Sequence, residues 1–114
     1  MGACSFGTIQ VGKFKNQVDA YRVACGEAID CYGNQDGYNG TISTTHGTIL
    51  RTDSPRFDTK AFWKWEDKRM EKLDKCDCEC VEIKGAKLTA LKKERGFSGK
   101  RGIKAYYFYG IARE

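Results

Sequence analysis

The run Ile103–Ala112, IKAYYFYGIA, constrains the fold more than any other part of the chain. Ten residues rich in β-branched and aromatic side chains, with no proline and a glycine only near the end, predict one long strand, and a strand of that length needs a sheet around it. Alternation along an extended chain puts Ile103, Ala105, Tyr107, Tyr109 and Ile111 on one face and Lys104, Tyr106 and Phe108 on the other. The first set reads as core. The second reads as a surface on which bases can stack.

The rest of the chain supplies partners for that strand. Ser5–Val11 (SFGTIQV) predicts a first strand, followed by a helix from Asn16 to Tyr32 with Asn16 as its N-cap, Asp19 three residues on, and Gly33 as its stop. Thr41–Thr45 and Thr48–Arg51 read as two short strands around a His46-Gly47 turn. Pro55 interrupts the chain before a helix that starts at Asp58 or Thr59 and runs to Lys75. Within it Trp63 and Trp65 cannot both face the way Phe62 does, because successive positions turn by about 100°. One tryptophan therefore stays partly exposed, as a packing flank or as a stacking surface. Cys78–Lys84 reads as a strand and Ala86–Arg95 as a short helix ending at Gly96. The order β-α-β-β-α-β-α-β implies an α+β fold: a small single domain with an antiparallel or mixed sheet, two to three helices packed on one face, and the other face left for a partner.

At 114 residues the chain suits one domain with one modest core. It has no apolar run long enough to span a bilayer, and its first residues lack the basic start and apolar middle of a secretory signal, so the expected compartment is the cytosol. Six cysteines in such a compartment are expected to be thiols. Cys4, Cys25 and Cys31 read as small buried hydrophobes. C-D-C-E-C places Cys76, Cys78 and Cys80 on one face if extended, roughly 6.5–7 Å apart, too far for three thiolates to share one zinc without a sharp bend. With His46 the only histidine, no metal site is assigned.

Charge is uneven. Residues 1–50 hold three cations against four anions, while the remainder holds seventeen against eleven. Between Lys84 and Lys104 eight cations face only Glu94, a density that attracts phosphates or acidic protein surfaces.

Two segments are candidates for a ligand site. GYNGTISTTHGT, residues 37–48, gathers three glycines, an Asn, a His and six hydroxyl-bearing residues around a single Ile. Such a segment suits a polar, phosphorylated ligand or, equally, a Thr-rich hairpin. GFSGKRG, residues 96–102, offers backbone amides beside Lys100 and Arg101, suited to an anion or to a plain helix-to-strand turn. It is no Walker A loop, which needs glycine at Glu94 and Ser or Thr at Arg101, and no GxGxxG fingerprint is present, so no cofactor is assigned. Thiols and His46 lack any nucleophile-base signature, and the chain reads as a binding protein without catalytic residues.

Together with CVEIKG (80–85) and KRGIKAYYFYGIA (100–112), the YNGTISTTHG segment resembles a family of small bacteriophage and prophage proteins. The resemblance implies a viral protein acting in the host bacterial cytoplasm. The leading expectation joins these readings: a non-enzymatic phage accessory protein that binds an anionic, nucleotide-like molecule or a host factor and blunts a bacterial defence. In it Asn39, Ser43, Thr45 and His46 contact polar edges, Lys100 and Arg101 hold phosphate, and Tyr38 or Trp65 stacks on a base. One alternative is a nucleic-acid-binding module built on Lys92, Lys93 and Lys104 with Tyr106 and Phe108. The other is an inhibitor that presents its basic surface to an acidic host enzyme.

Overall fold

The computed structural model describes residues 3–32, 42 and 45–113. Four strands, β1 (Ala3–Gly12), β2 (Ile49–Leu50), β3 (Cys78–Ile83) and β4 (Lys104–Arg113), alternate with three helices, α1 (Gln17–Tyr32), α2 (Lys60–Lys72) and α3 (Ala86–Glu94). The strands form one mixed sheet in the order β1-β4-β3-β2. β4 pairs antiparallel with β1, from Ala3↔Arg113 to Gly12↔Lys104, and antiparallel with β3, from Cys78↔Gly110 to Ile83↔Ala105. β2 pairs parallel with β3 at Ile49↔Glu79 and Leu50↔Cys80, so β2-α2-β3 is a crossover unit. The architecture is α+β, with the strands and helices of the C-terminal half close to their expected positions.

Helix boundaries follow their caps. The Asn16 side-chain oxygen accepts from the N–H groups of Val18 (3.0 Å) and Asp19 (3.2 Å), and Asp19 accepts in return from the N–H of Lys15 (3.1 Å). For α2 the cap is Thr59, whose Oγ1 accepts from the Phe62 N–H at 3.1 Å. α2 ends at Lys72, three residues earlier than expected, because Asp74–Asp77 closes its own turn, with the Asp77 carboxylate accepting from the Asp74 N–H. The expected strand over residues 41–45 is absent among the described residues. Ile42 is helical and Thr45 donates back to the Ile42 carbonyl in a turn, while residues 41, 43 and 44 lie outside those described.

The helices do not share one face of the sheet. α1 lays Ala20 and Ala24 on Cys78, Cys80, Tyr106 and Phe108, whereas α2 and α3 cover Val81, Ile83, Ala105, Tyr107 and Tyr109 from the other side with Phe62, Leu88 and Leu91. The reason lies in β4. Its aromatic residues alternate to both sides, and each ring left in water forfeits about 1.5–3 kcal/mol of burial, so both faces need a helix. Tyr106 (2 % exposed) and Phe108 (0 %) are therefore core, not the surface that the polar neighbour Lys104 suggests.

The β3–β4 contact is close enough to exclude any side chain at Gly110: a Cβ there would sit 2.1 Å from the Asp77 carbonyl oxygen and 3.0 Å from Cys78 Cα. Gly26 in α1 has nothing within 4 Å of the same position. Gly110→Ala is expected to lower stability by about 1–3 kcal/mol or more because backbone must shift. Gly26→Ala is expected to raise it by about 0.5–1 kcal/mol through helix propensity. Urea unfolding of the two variants beside the parent measures both.

Candidate anion-binding site

β2 and β3 run in the same direction, so the chain leaves both strands at the same end of the sheet and a crevice opens between the two exits. β2 is only two residues long. The Arg51 N–H still donates to the Cys80 carbonyl (2.8 Å), after which the chain turns away, while β3 continues to Ile83. The resulting cleft has a volume of about 420 Å³. The β2–α2 connection supplies Arg51, Thr52, Ser54, Pro55, Arg56 and Phe57 to its wall, and β3 with the start of α3 supplies Val81, Glu82, Lys84, Gly85 and Lys87.

Four cations line this space against one carboxylate, Glu82. Two of them are engaged: Arg51 donates from Nε and Nη2 to Asp53 (3.1 and 2.9 Å), and Lys87 pairs with Asp58 at 2.5 Å. Hydrogen bonding to these cations holds both aspartates below the usual carboxylate range. Trp63 also donates to Asp58 (3.3 Å), so this aspartate ties the start of α2 to α3 at the cleft rim. Arg56 and Lys84 are exposed and have no carboxylate partner among the described residues. The Arg56 Nη2 lies 3.9 Å from where a Cβ on Gly85 would stand. Gly85 caps α3 with φ of +71° and no side-chain hydrogen bond, so no side chain takes up the helix N-terminal amides where Gly85 and Lys87 line the cleft. Phe57 adds an apolar wall, packed edge-on against Phe62 and Trp63.

The segments expected to share one site are apart. His46 lies at the opposite end of the sheet, where its N–H donates to the Cys76 carbonyl (3.1 Å) and it lines a second cleft of about 280 Å³ with Thr48, Leu73, Cys76 and Asp77. Lys100 and Arg101 precede Lys104, and six residue steps along β4 separate Lys104 from Gly110 beside that second cleft, roughly 20 Å at strand spacing. Thr45 is occupied internally: the Gly47 N–H donates to the Tyr21 hydroxyl (2.9 Å), which lies 2.5 Å from Thr45 Oγ1, and Thr45 Oγ1 donates to the Ile42 carbonyl (2.7 Å). Burial pushes the Tyr21 phenol up to about 12. The Thr-rich segment is thus anchored to α1 through its own hydroxyl, the structural use of these residue types. Tyr38, Asn39 and Ser43 lie outside the described residues.

Trp65 is half-buried, with Phe62 at 5.7 Å and Tyr109 at 6.0 Å, and belongs to the core beneath α2. The GFSGKRG loop is a glycine-permitted turn, with positive φ at Gly96, Gly99 and Gly102 and Lys100 Nζ 5.7 Å above the Phe97 ring. Lys92 and Lys93 stand on the last turn of α3, and Lys104 donates to the Lys15 carbonyl (3.1 Å). Cys78 and Cys80 face α1 from β3, whereas Cys76 sits in the preceding turn with φ of +74° and shares no strand face with them. Burial pushes the Cys78 thiol up to about 12 and that of Cys80 to about 11, so both are neutral packing groups. Cys25, Cys76, Cys78 and Cys80 are free thiols, and no trio of His, Cys, Asp or Glu among the described residues is placed to hold a metal. The side chains of Cys4 and Cys31 lie outside those described. No helix among the described residues is long and apolar enough to cross a membrane. Sequence reasoning included Lys84 and Lys87 in its basic zone but missed Arg56 and Gly85; the available signal was the KGAK step from strand to helix.

On the α2 side of the sheet two buried carboxylates receive the tyrosines of β4. Glu79 (3 % exposed) accepts from Tyr109 (2.9 Å) and from Arg69 of α2 through both oxygens (3.0 and 2.5 Å), and Glu66 accepts from Tyr107. No family model, curated protein or solved structure matches this chain.

These carboxylates carry opposite pH signatures. Burial acts to raise the Glu79 pKa, but the bonds from Arg69 and Tyr109 outweigh it and hold the group below its usual range. Its stabilisation is therefore complete above the unfolded value, about 4.3, and is lost as pH falls through the folded one. Burial raises Glu66, only partly offset by Tyr107, so its contribution is present below the unfolded value and is lost as pH rises through the folded one. Glu79→Gln is expected to cost about 3 kcal/mol at pH 7, the low end for a broken buried pair since Arg69 keeps some solvent access. The difference from the parent is expected to shrink below pH 4. Urea titrations from pH 3 to 7 measure it.

Proposed function

We propose that this chain is a non-enzymatic bacteriophage accessory protein that binds an anionic, nucleotide-like ligand in the cleft between the β2–α2 connection and the start of α3, and so antagonises a host bacterial defence. The observation that carries the binding reading is the meeting of Arg56 and Lys84, both without a carboxylate partner among the described residues, with the uncapped N-terminus of α3 in one cleft. Charge-assisted bonds from a guanidinium, an ammonium and helix amides are what a phosphate group takes. About 420 Å³ falls within the size range of small-ligand sites, and Phe57 offers the apolar wall that a base or sugar needs. Support for the viral setting comes from the resemblance of residues 38–47, 80–85 and 100–112 to phage segments.

Calorimetry and thermal shift with a panel of adenine, guanine and cyclic nucleotides test this reading. A binder is expected to raise Tm, by the equivalent of about 2.7 kcal/mol at a hundredfold excess over Kd. Arg56→Ala with Lys84→Ala is expected to weaken it at least tenfold at unchanged fold, since each charged bond is worth about 1.5–3 kcal/mol. Lys100→Ala with Arg101→Ala, outside the cleft, is expected to leave it within twofold. Loss in the second pair and not the first would move the site to the GFSGKRG loop.

A further inference from the structure

We infer that the cleft is one end of a longer phosphate-binding strip, and that the strip takes the backbone of a nucleic-acid duplex. This rests on the anion-binding reading of the cleft and extends it to a polymer. The strip is built by the sheet itself. Lys84 follows Ile83, which pairs with Ala105, and the neighbouring Lys104 pairs with Gly12, directly before Lys13. Lys104 Nζ donates to the Lys15 carbonyl (3.1 Å), and a Cβ on Gly102 would lie 3.8 Å from Lys13 Cε, which brings Arg101 to the same end. Cations from three segments remote in sequence thus stand in one row across β3, β4 and β1, about 10 Å at the spacing of paired strands, beyond the cleft that holds Arg56.

The carboxylates at this end offset the row only in part. Asp53 and Asp58 are paired with Arg51 and Lys87, which leaves Asp19, whose carboxylate accepts the Lys15 N–H, and the half-buried Glu82 against the larger number of cations. A single nucleotide fills only the cleft, whereas a double helix, with one charge per about 1.7 Å of axis, meets every cation of the row. The absence of an exposed ring along the row beyond the cleft, among the described residues, selects the double helix over a single strand. Tyr106 and Phe108 are sealed under α1, Phe14 is half-buried against Tyr106, and Phe97 is half-buried beneath Lys100, so beyond Phe57 in the cleft no exposed ring among the described residues of the row offers a platform for unpaired bases. Contacts confined to phosphates carry no direct sequence information, so binding is independent of base order.

The test is fluorescence anisotropy with a labelled mixed-sequence 20-bp DNA duplex, its scrambled counterpart, the same sequence as duplex RNA and as single strand, and a free mononucleotide, between about 50 and 200 mM salt. Both DNA duplexes are expected to bind equally and better than the single strand, with log K falling against log salt at a slope of about −4 to −5, for some five phosphates at −0.9 each. Duplex RNA bound as well as DNA identifies the shared backbone as the ligand; RNA bound less well identifies B-form DNA. Lys13→Glu with Arg101→Glu, both exposed, is expected to cut duplex affinity at least tenfold at 50 mM salt, reduce the slope by about 2, and leave mononucleotide binding unchanged. The alanine pair at the same positions, expected to act in the same direction, serves if charge reversal disturbs folding. Absence of duplex binding at 50 mM salt, tighter binding of the single strand, or an unaltered duplex affinity in both pairs overturns the strip. Duplex binding with these dependences but no mononucleotide binding sustains the strip and refutes the nucleotide cleft.

Discussion

Burial of β4 on both faces governs this structure. A central strand flanked by β1 and β3 presents Tyr106 and Phe108 to one side and Tyr107 and Tyr109 to the other, and all four are 9 % exposed or less. A helix on one side alone would leave half of that aromatic surface in water. The chain therefore places α1, with its small Ala20 and Ala24 contact, on one face and the larger Phe62, Leu88 and Leu91 set on the other. Burying tyrosines brings their hydroxyls inside, where an unmatched donor costs about 1–3 kcal/mol. Glu66 and Glu79 accept from Tyr107 and Tyr109, and Arg69 in turn neutralises Glu79. One strand's sequence thus dictates two layers of helix and a buried polar network.

The same arrangement creates the cationic end. β4 enters the sheet at Lys104 beside the point where β1 exits, and β3 exits on its other flank, so the loops at this end carry the ends of three strands together. The short parallel β2 adds a fourth strand end and opens the cleft. Charge that is dispersed along the chain is concentrated by topology, while the sheet's opposite end gathers His46, Asp77, Cys76 and Cys78. A phosphate-bearing ligand approaching the molecule meets a directional field.

The segment that stood out chemically, residues 37–48, shows how a polar composition can mislead. Where it is described, its hydroxyl and amide groups are consumed by the Gly47–Tyr21–Thr45–Ile42 chain of hydrogen bonds and by the bond from His46 to Cys76. Small donors and glycines suit a ligand, but they suit equally a connection that must satisfy its own backbone against a helix. Only the position of Tyr21, 24 residues from Thr45, distinguishes the two.

By itself the sequence determined the local elements. Asn16 and Asp19 cap α1, Thr59 caps α2, Gly96 follows the end of α3, and the β-branched and aromatic runs become β1, β3 and β4, because capping and periodicity are properties of a few neighbouring residues. It also revealed the basic zone that contributes Lys84, Lys87, Lys100, Arg101 and Lys104 to one end of the sheet. The tertiary structure alone decided which face each helix covers, that Tyr106 and Phe108 are core, and that Arg56 and Lys84 share a cleft while His46 and Arg101 do not. Those outcomes depend on strand order and direction. They follow from the summed burial of surfaces distant in sequence, which no local pattern encodes.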